Sequence, residues 1–85
     1  MKKVVIYTGD FCIHCEWAIG LLNRKNIVFT EYNIAKNALK REEMFKKSNG
    51  AKTVPQIFIG EHHVGGNIEL QALEKTGKLN SLLGI

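Results

Sequence analysis

Two cysteines stand in Cys12-Ile13-His14-Cys15, and they are the only cysteines of the 85-residue chain. Spacing alone leaves three chemistries open: thiol–disulfide exchange, half of a zinc site, or a pair of unreactive buried thiols. Exchange needs a thiolate, and an unperturbed cysteine with a pKa of about 8.5 is mostly protonated at neutral pH, so the site has to help. Here the pair sits where a buried-strand pattern gives way to a helical one. Unpaired N–H groups and the positive end of the helix dipole favour an anion in the first turn, which makes Cys12 the expected nucleophile. Cys15, one turn further in and on the apolar face, is placed to attack a mixed disulfide at Cys12 while shielded from outside reagents. His14 offers an imidazole to favour that thiolate or to touch substrate, its alternative being a solvated residue without a role. Zinc needs four ligands, and only His14, His62 and His63 remain as further borderline donors. Adjacent on a strand, His62 and His63 point to opposite faces, so no metal ligands are expected.

The elements that must position this pair follow from periodicity. Residues 3–8 form a nearly continuous apolar, β-branched run, the pattern of a central strand buried on both faces. After a turn at Gly9-Asp10, Cys15, Ala18, Ile19 and Leu22 recur at helical spacing, predicting a helix over residues 12–24. A second strand is expected at residues 27–33, parallel to the first because a helix separates the two. A second helix is expected over Ala38–Lys47, with Leu39, Met44 and Phe45 as its apolar contacts and Ser48-Asn49-Gly50 closing it. Residues 56–59 and 62–64 read as an antiparallel hairpin around Gly60-Glu61, a type II′ arrangement with Gly first. Gly65-Gly66-Asn67 opens a third helix with Asn67 as N-cap, and residues 78–83 add a short helical segment. The order β-α-β-α-β-β-α predicts an α/β fold with a four-stranded mixed sheet flanked by helices, in one domain over residues 1–85.

Composition sets the setting. Apolar residues make up 45% and charged residues 24% of the chain, the balance of a globular domain. The apolar run after Met1-Lys2-Lys3 stops too early for a signal peptide, and no stretch approaches the roughly 20 apolar residues of a membrane span. A cytoplasmic location is therefore expected, with no membrane partner, and reducing surroundings favour catalytic over structural cysteines. The net charge of +4 is spread along the chain without interleaved aromatics, so nucleic acid is not an expected partner, whereas small anions are.

The run Thr53-Val54-Pro55-Gln56-Ile57-Phe58-Ile59-Gly60, followed by His63-Val64-Gly65-Gly66, resembles glutaredoxins, the dithiol bacterial members in particular. So do Tyr7-Thr8 before the cysteines and Lys40-Arg41-Glu42-Glu43-Met44. The resemblance implies the thioredoxin-like fold and an oxidoreductase that uses glutathione as co-substrate, with no tightly bound cofactor. It implies a cis Val54–Pro55 bond against the active site, where the residues alone would also allow an ordinary edge proline. It further implies that Thr53, Val54 and Pro55 lie along bound glutathione, with the Val54 backbone pairing to its cysteine. Gly66, Asn67 and Ile68 would present N–H groups to the γ-glutamyl carboxylate at a helix N-terminus, where residues alone allow a flexible turn. Arg41 would meet the glycine carboxylate, and His14 would complete the glutathione-binding set. Implied partners are glutathione and glutathionylated or disulfide-containing proteins, with the chain a monomer. Three positions depart from the usual pattern: Gly9-Asp10-Phe11 replaces a lysine-bearing approach, Ile13-His14 replaces proline–tyrosine, and Ile68 stands where a polar residue is common. Two other readings stay open, a redoxin reduced by thioredoxin reductase and a dimer holding a [2Fe–2S] cluster through Cys12 and glutathione.

Overall fold

The computed structural model describes all of residues 1–85. Strand β1 (Val4–Thr8) is buried along its whole length, as its apolar sequence requires. It leads to α1 (Ile13–Arg24), then β2 (Thr30–Asn33), α2 (Ala38–Lys47), β3 (Gln56–Ile59), β4 (His62–Gly65), α3 (Asn67–Lys75) and α4 (Lys78–Leu83). The sheet order is β2-β1-β3-β4, with β1 parallel to β2 and antiparallel to β3, and β3 antiparallel to β4. This is the expected four-stranded mixed sheet. Gly60 opens the β3–β4 loop at φ 58 while Glu61 stays out of the left-handed region, as a type II′ turn demands.

Alternate residues of β1 face opposite sides of the sheet. Val4 and Ile6 join a core of 12 buried residues with Ala18, Leu21 and Leu22 of α1, Leu70 of α3 and Leu79 and Leu83 of α4. Val5 and Tyr7 join a smaller cluster of 4 with Phe58 and Met44 under α2. The chain ends meet at one pole of the sheet, where the Lys2 N–H donates to the Leu83 carbonyl at 2.9 Å. No helix is long and apolar enough to cross a membrane.

Three local expectations are corrected. The second strand begins at Thr30, not at residue 27: Asn26 ends α1 at φ 57, and the Ile27 N–H bonds back to the Leu22 carbonyl at 2.9 Å. Ile27 is thereby drawn into the core as part of a helix stop and leaves the strand ladder. On α2 only Met44 is buried; Leu39 and Phe45 are exposed. The sheet-facing side of α2 uses polar groups instead. The Tyr7 hydroxyl donates to the Glu43 carboxylate, Lys40 Nζ reaches Glu43 at 3.2 Å, and the same ammonium sits 4.0 Å from the Tyr32 ring centre. The Tyr7 bond, helped by Lys40, holds Glu43 below the usual carboxylate range despite partial burial. Burial first, then the Glu43 carboxylate, pushes the Tyr7 phenol well up. Finally, Gly66 and not Asn67 is the N-cap of α3; its N–H donates to Glu69 Oε1 at 2.7 Å, and Asn67 becomes the first helical residue.

Candidate active site

Cys12 is the N-cap of α1, with extended backbone at φ −116 and ψ 100, and its Sγ accepts the Cys15 N–H at 3.1 Å. A sulfur in the place of a capping oxygen receives one of the orphan N–H donors of the first turn, an arrangement that favours negative charge on it. Cys12 and Cys15 are joined as a disulfide with a Cα–Cα distance of 5.2 Å, ordinary for such a bond. Cys15 is only 3% exposed, whereas Cys12 is partly open to solvent. A reagent from outside therefore reaches Cys12 first.

Because β1 and β3 are neighbours with Tyr7 opposite Gln56, the loop before β3 comes beside the cysteines. The Val54–Pro55 bond is cis, and the Val54 carbonyl oxygen lies 3.7 Å from Cys12 Sγ. Gly9 fits closely here: a Cβ at that position would stand 3.1 Å from Val54 Cγ2. Below the loop, the buried Gln56 amide donates to the Thr53 carbonyl at 3.0 Å, and its Oε1 pairs with His63 Nε2 at 2.6 Å. The His63 ring stacks on Phe58 with centroids 4.7 Å apart. Together these side chains brace Thr53.

One groove of about 340 Å³ is lined by His14, Thr53, Val54, Pro55, Gly66, Asn67 and Ile68, together with Gln56, His63 and neighbours. Most of the residues singled out from sequence thus share a single concavity next to Cys12. Arg41 stands apart from it, in an adjoining cavity with Gly9, Lys52 and Val54. His14 has a role that sequence did not suggest. Asn67 Oδ1 accepts from Gln71 at 3.1 Å, which aims Asn67 Nδ2 at His14 Nδ1, 3.2 Å away. This pairing ties the first turn of α1 to that of α3. Lys52, Gln56 and His63 were missed as site residues; the signal available was adjacency to Thr53-Val54-Pro55 for Lys52 and Gln56, and for His63 its place in the run His63-Val64-Gly65-Gly66 that carries the resemblance. No group of three or more His, Cys, Asp or Glu side chains is placed to hold a metal ion.

Comparison with known proteins gives a consistent answer. A family model described as Glutaredoxin matches residues 4–64. Glutaredoxin 3 of Escherichia coli (strain K12) is 49% identical over 83 residues, covering 98% of this chain and 99% of that protein. The solution structure of a glutaredoxin from Brucella melitensis, 47% identical, superposes with a TM-score of 0.82 over 98% of this chain and 89% of that one. A crystal structure of a buckwheat glutaredoxin–glutathione complex shares the fold at a TM-score of 0.85 and 20% identity, covering 98% of this chain and 77% of that one.

Proposed function

This chain belongs to the glutaredoxin family of thiol–disulfide oxidoreductases, and on that premise we propose that it reduces glutathionyl mixed disulfides and protein disulfides with glutathione as co-substrate. The observation that carries this reading is the partly exposed Cys12 sulfur beside a groove that gathers His14, Thr53, Val54, Pro55, Gly66, Asn67 and Ile68. Thr53 and Val54 offer the backbone of the cis-proline loop to the tripeptide, the start of α3 offers N–H groups to one carboxylate, and Arg41 lies toward the other. The protein works as a monomeric single domain in the cytoplasm, without a resident cofactor.

In the monothiol reaction the Cys12 thiolate attacks the glutathione sulfur of a mixed disulfide. The new Cys12–glutathione bond forms as the old disulfide breaks, and the protein thiol leaves as a thiolate that takes a proton from water. A second glutathione thiolate attacks the glutathione sulfur on Cys12, frees the Cys12 thiolate and leaves as oxidised glutathione. On a protein disulfide Cys12 attacks first and Cys15 displaces the substrate from it, producing the Cys12–Cys15 disulfide seen here. Two glutathione molecules then reduce that bond, both electrons coming from their thiols.

The test is turnover of a glutathionylated peptide by wild type, Cys12→Ser and Cys15→Ser, coupled to glutathione reductase. Cys12→Ser is expected to lose all activity and Cys15→Ser to keep much of it. Equal loss in both variants, or faster turnover when thioredoxin reductase replaces glutathione, overturns the reading.

A further inference from the structure

The groove occupies one side of Cys12. On the other side a cavity of about 350 Å³ opens at the disulfide, lined by Asp10, Phe11, Cys12, Cys15, Glu16 and Glu31 among nine residues, none of them basic. In a chain of net charge +4 this is a local reversal of sign. The one ion pair here, Lys36 to Asp10 at 4.0 Å with both side chains exposed, does little to cancel it.

Phe11 lines this cavity, while Ile13 and Trp17 lie outside its lining, exposed on the first turns of α1. Phe11 is held at φ 51 with its ring wholly in solvent. A bulky residue in the left-handed region is a steric outlier, and an exposed ring gains nothing from burial, so both features cost stability without return inside the molecule. Ile13, on the other flank of Cys12, is 51% exposed, and Trp17, four residues on along the same helix face, is 52% exposed with its ring edge-on to His14.

We propose that Phe11, Ile13 and Trp17, with Asp10 and Glu16 beside them, form the docking surface for the polypeptide substrate, and that they select an extended segment whose cysteine is flanked by apolar and basic side chains. The proposal deepens the reading above and rests on Cys12 as the attacking sulfur. The two halves of a mixed disulfide separate by charge: the anionic tripeptide belongs to the groove near Arg41 and Lys52, and the polypeptide half to the acidic, apolar side. Docking is continuous with the reacting sulfur, so a contact there brings the substrate cysteine within reach.

The experiment needs no glutathione. Reduced protein is mixed with disulfide-linked peptide dimers whose cysteines are flanked by Leu and Lys, by Ser and Gly, or by Asp and Glu. Cys12 attacks one peptide sulfur and releases the first peptide thiol; Cys15 releases the second, so two electrons pass from protein to peptide. Each second-order rate is divided by that of dithiothreitol on the same peptide, which removes intrinsic differences in disulfide reactivity. The Leu/Lys peptide is expected to react about tenfold faster than the Asp/Glu peptide on this scale, the weight of one well-buried contact. Phe11→Asn, which suits the left-handed backbone, should remove most of that preference while leaving glutathione-coupled turnover of a small mixed disulfide unchanged. Equal normalised rates for the three peptides in wild type overturn the proposal, as does an equal slowing of all three by Phe11→Asn. So does sedimentation showing a dimer that Phe11→Asn dissociates, since a second copy would then cover this surface. Peptide selectivity without glutathione-coupled turnover refutes the glutathione reading and leaves this one standing.

Discussion

Val54 is held from two directions: its carbonyl faces Cys12 Sγ and its side chain would stand only 3.1 Å from a Cβ on Gly9. Gly9→Ala must shift Val54 by a few tenths of an ångström, and kcat/KM with glutathione is expected to fall several-fold with little loss of stability; unchanged kinetics would show that the loop yields freely. Asn67→Ala removes the bond to His14 and should cost about 1 kcal/mol in a denaturant titration, because the partners it frees are able to find water. The roles of Cys12 and Cys15 were legible in sequence because a strand-to-helix switch distinguishes two positions three residues apart. The His14–Asn67 and Gln56–His63 pairs were not. Each joins side chains on different elements: His14 and Asn67 lie 53 residues apart, and Gln56 and His63, 7 apart, meet only across the β3–β4 hairpin, so neither leaves a periodic trace.

The helix most exposed to perturbation is α2, whose one buried residue, Met44, completes a cluster of 4 with Val5, Tyr7 and Phe58, while the other face of the sheet holds 12. Met44→Ala is expected to cost about 3 kcal/mol by chemical denaturation. Amide exchange should be faster through α2 than through α1, in keeping with fewer apolar contacts. The Tyr7–Glu43 bond adds to its hold, with Lys40 over the Tyr32 ring and Lys47 over Phe58. Since Glu43 titrates lower in the folded chain than in the unfolded one, its contribution is present above the ordinary glutamate range and is lost as pH falls through the folded value. Tyr7→Phe should therefore lower stability by about 1 kcal/mol at neutral pH and flatten the acid limb of a stability–pH curve. Apolar spacing identified the helix but misjudged its buried face, because Leu39 and Phe45 point outward and the inward side is partly Lys40 and Glu43. The early start assigned to the second strand has a similar origin: Ile27 is as apolar as a strand residue but serves to close a helix.

For the molecule as a whole, topology was legible since each connection length allowed one pairing, whereas the distribution of charge around the site needed three dimensions. Arg41 and Lys52 come from different parts of the chain to one cavity beside Val54. With an anionic co-substrate, raising salt should increase KM for glutathione while kcat holds, and the Arg41→Ala, Lys52→Ala double variant should show a higher KM and a weaker salt response. If salt moves kcat and leaves KM unchanged, these cations do not steer glutathione. The sheet also separates the site from the chain ends. Lys2 and Leu83 are joined at one pole, and the five residues of β1 lead away from it toward the cysteines, a rise of roughly 17 Å. Anything tethered at either end, whether a fused reporter, a carrier domain or a solid support, thus hangs from the far side, and the fold can serve as a portable redox head with its working sulfur turned outward.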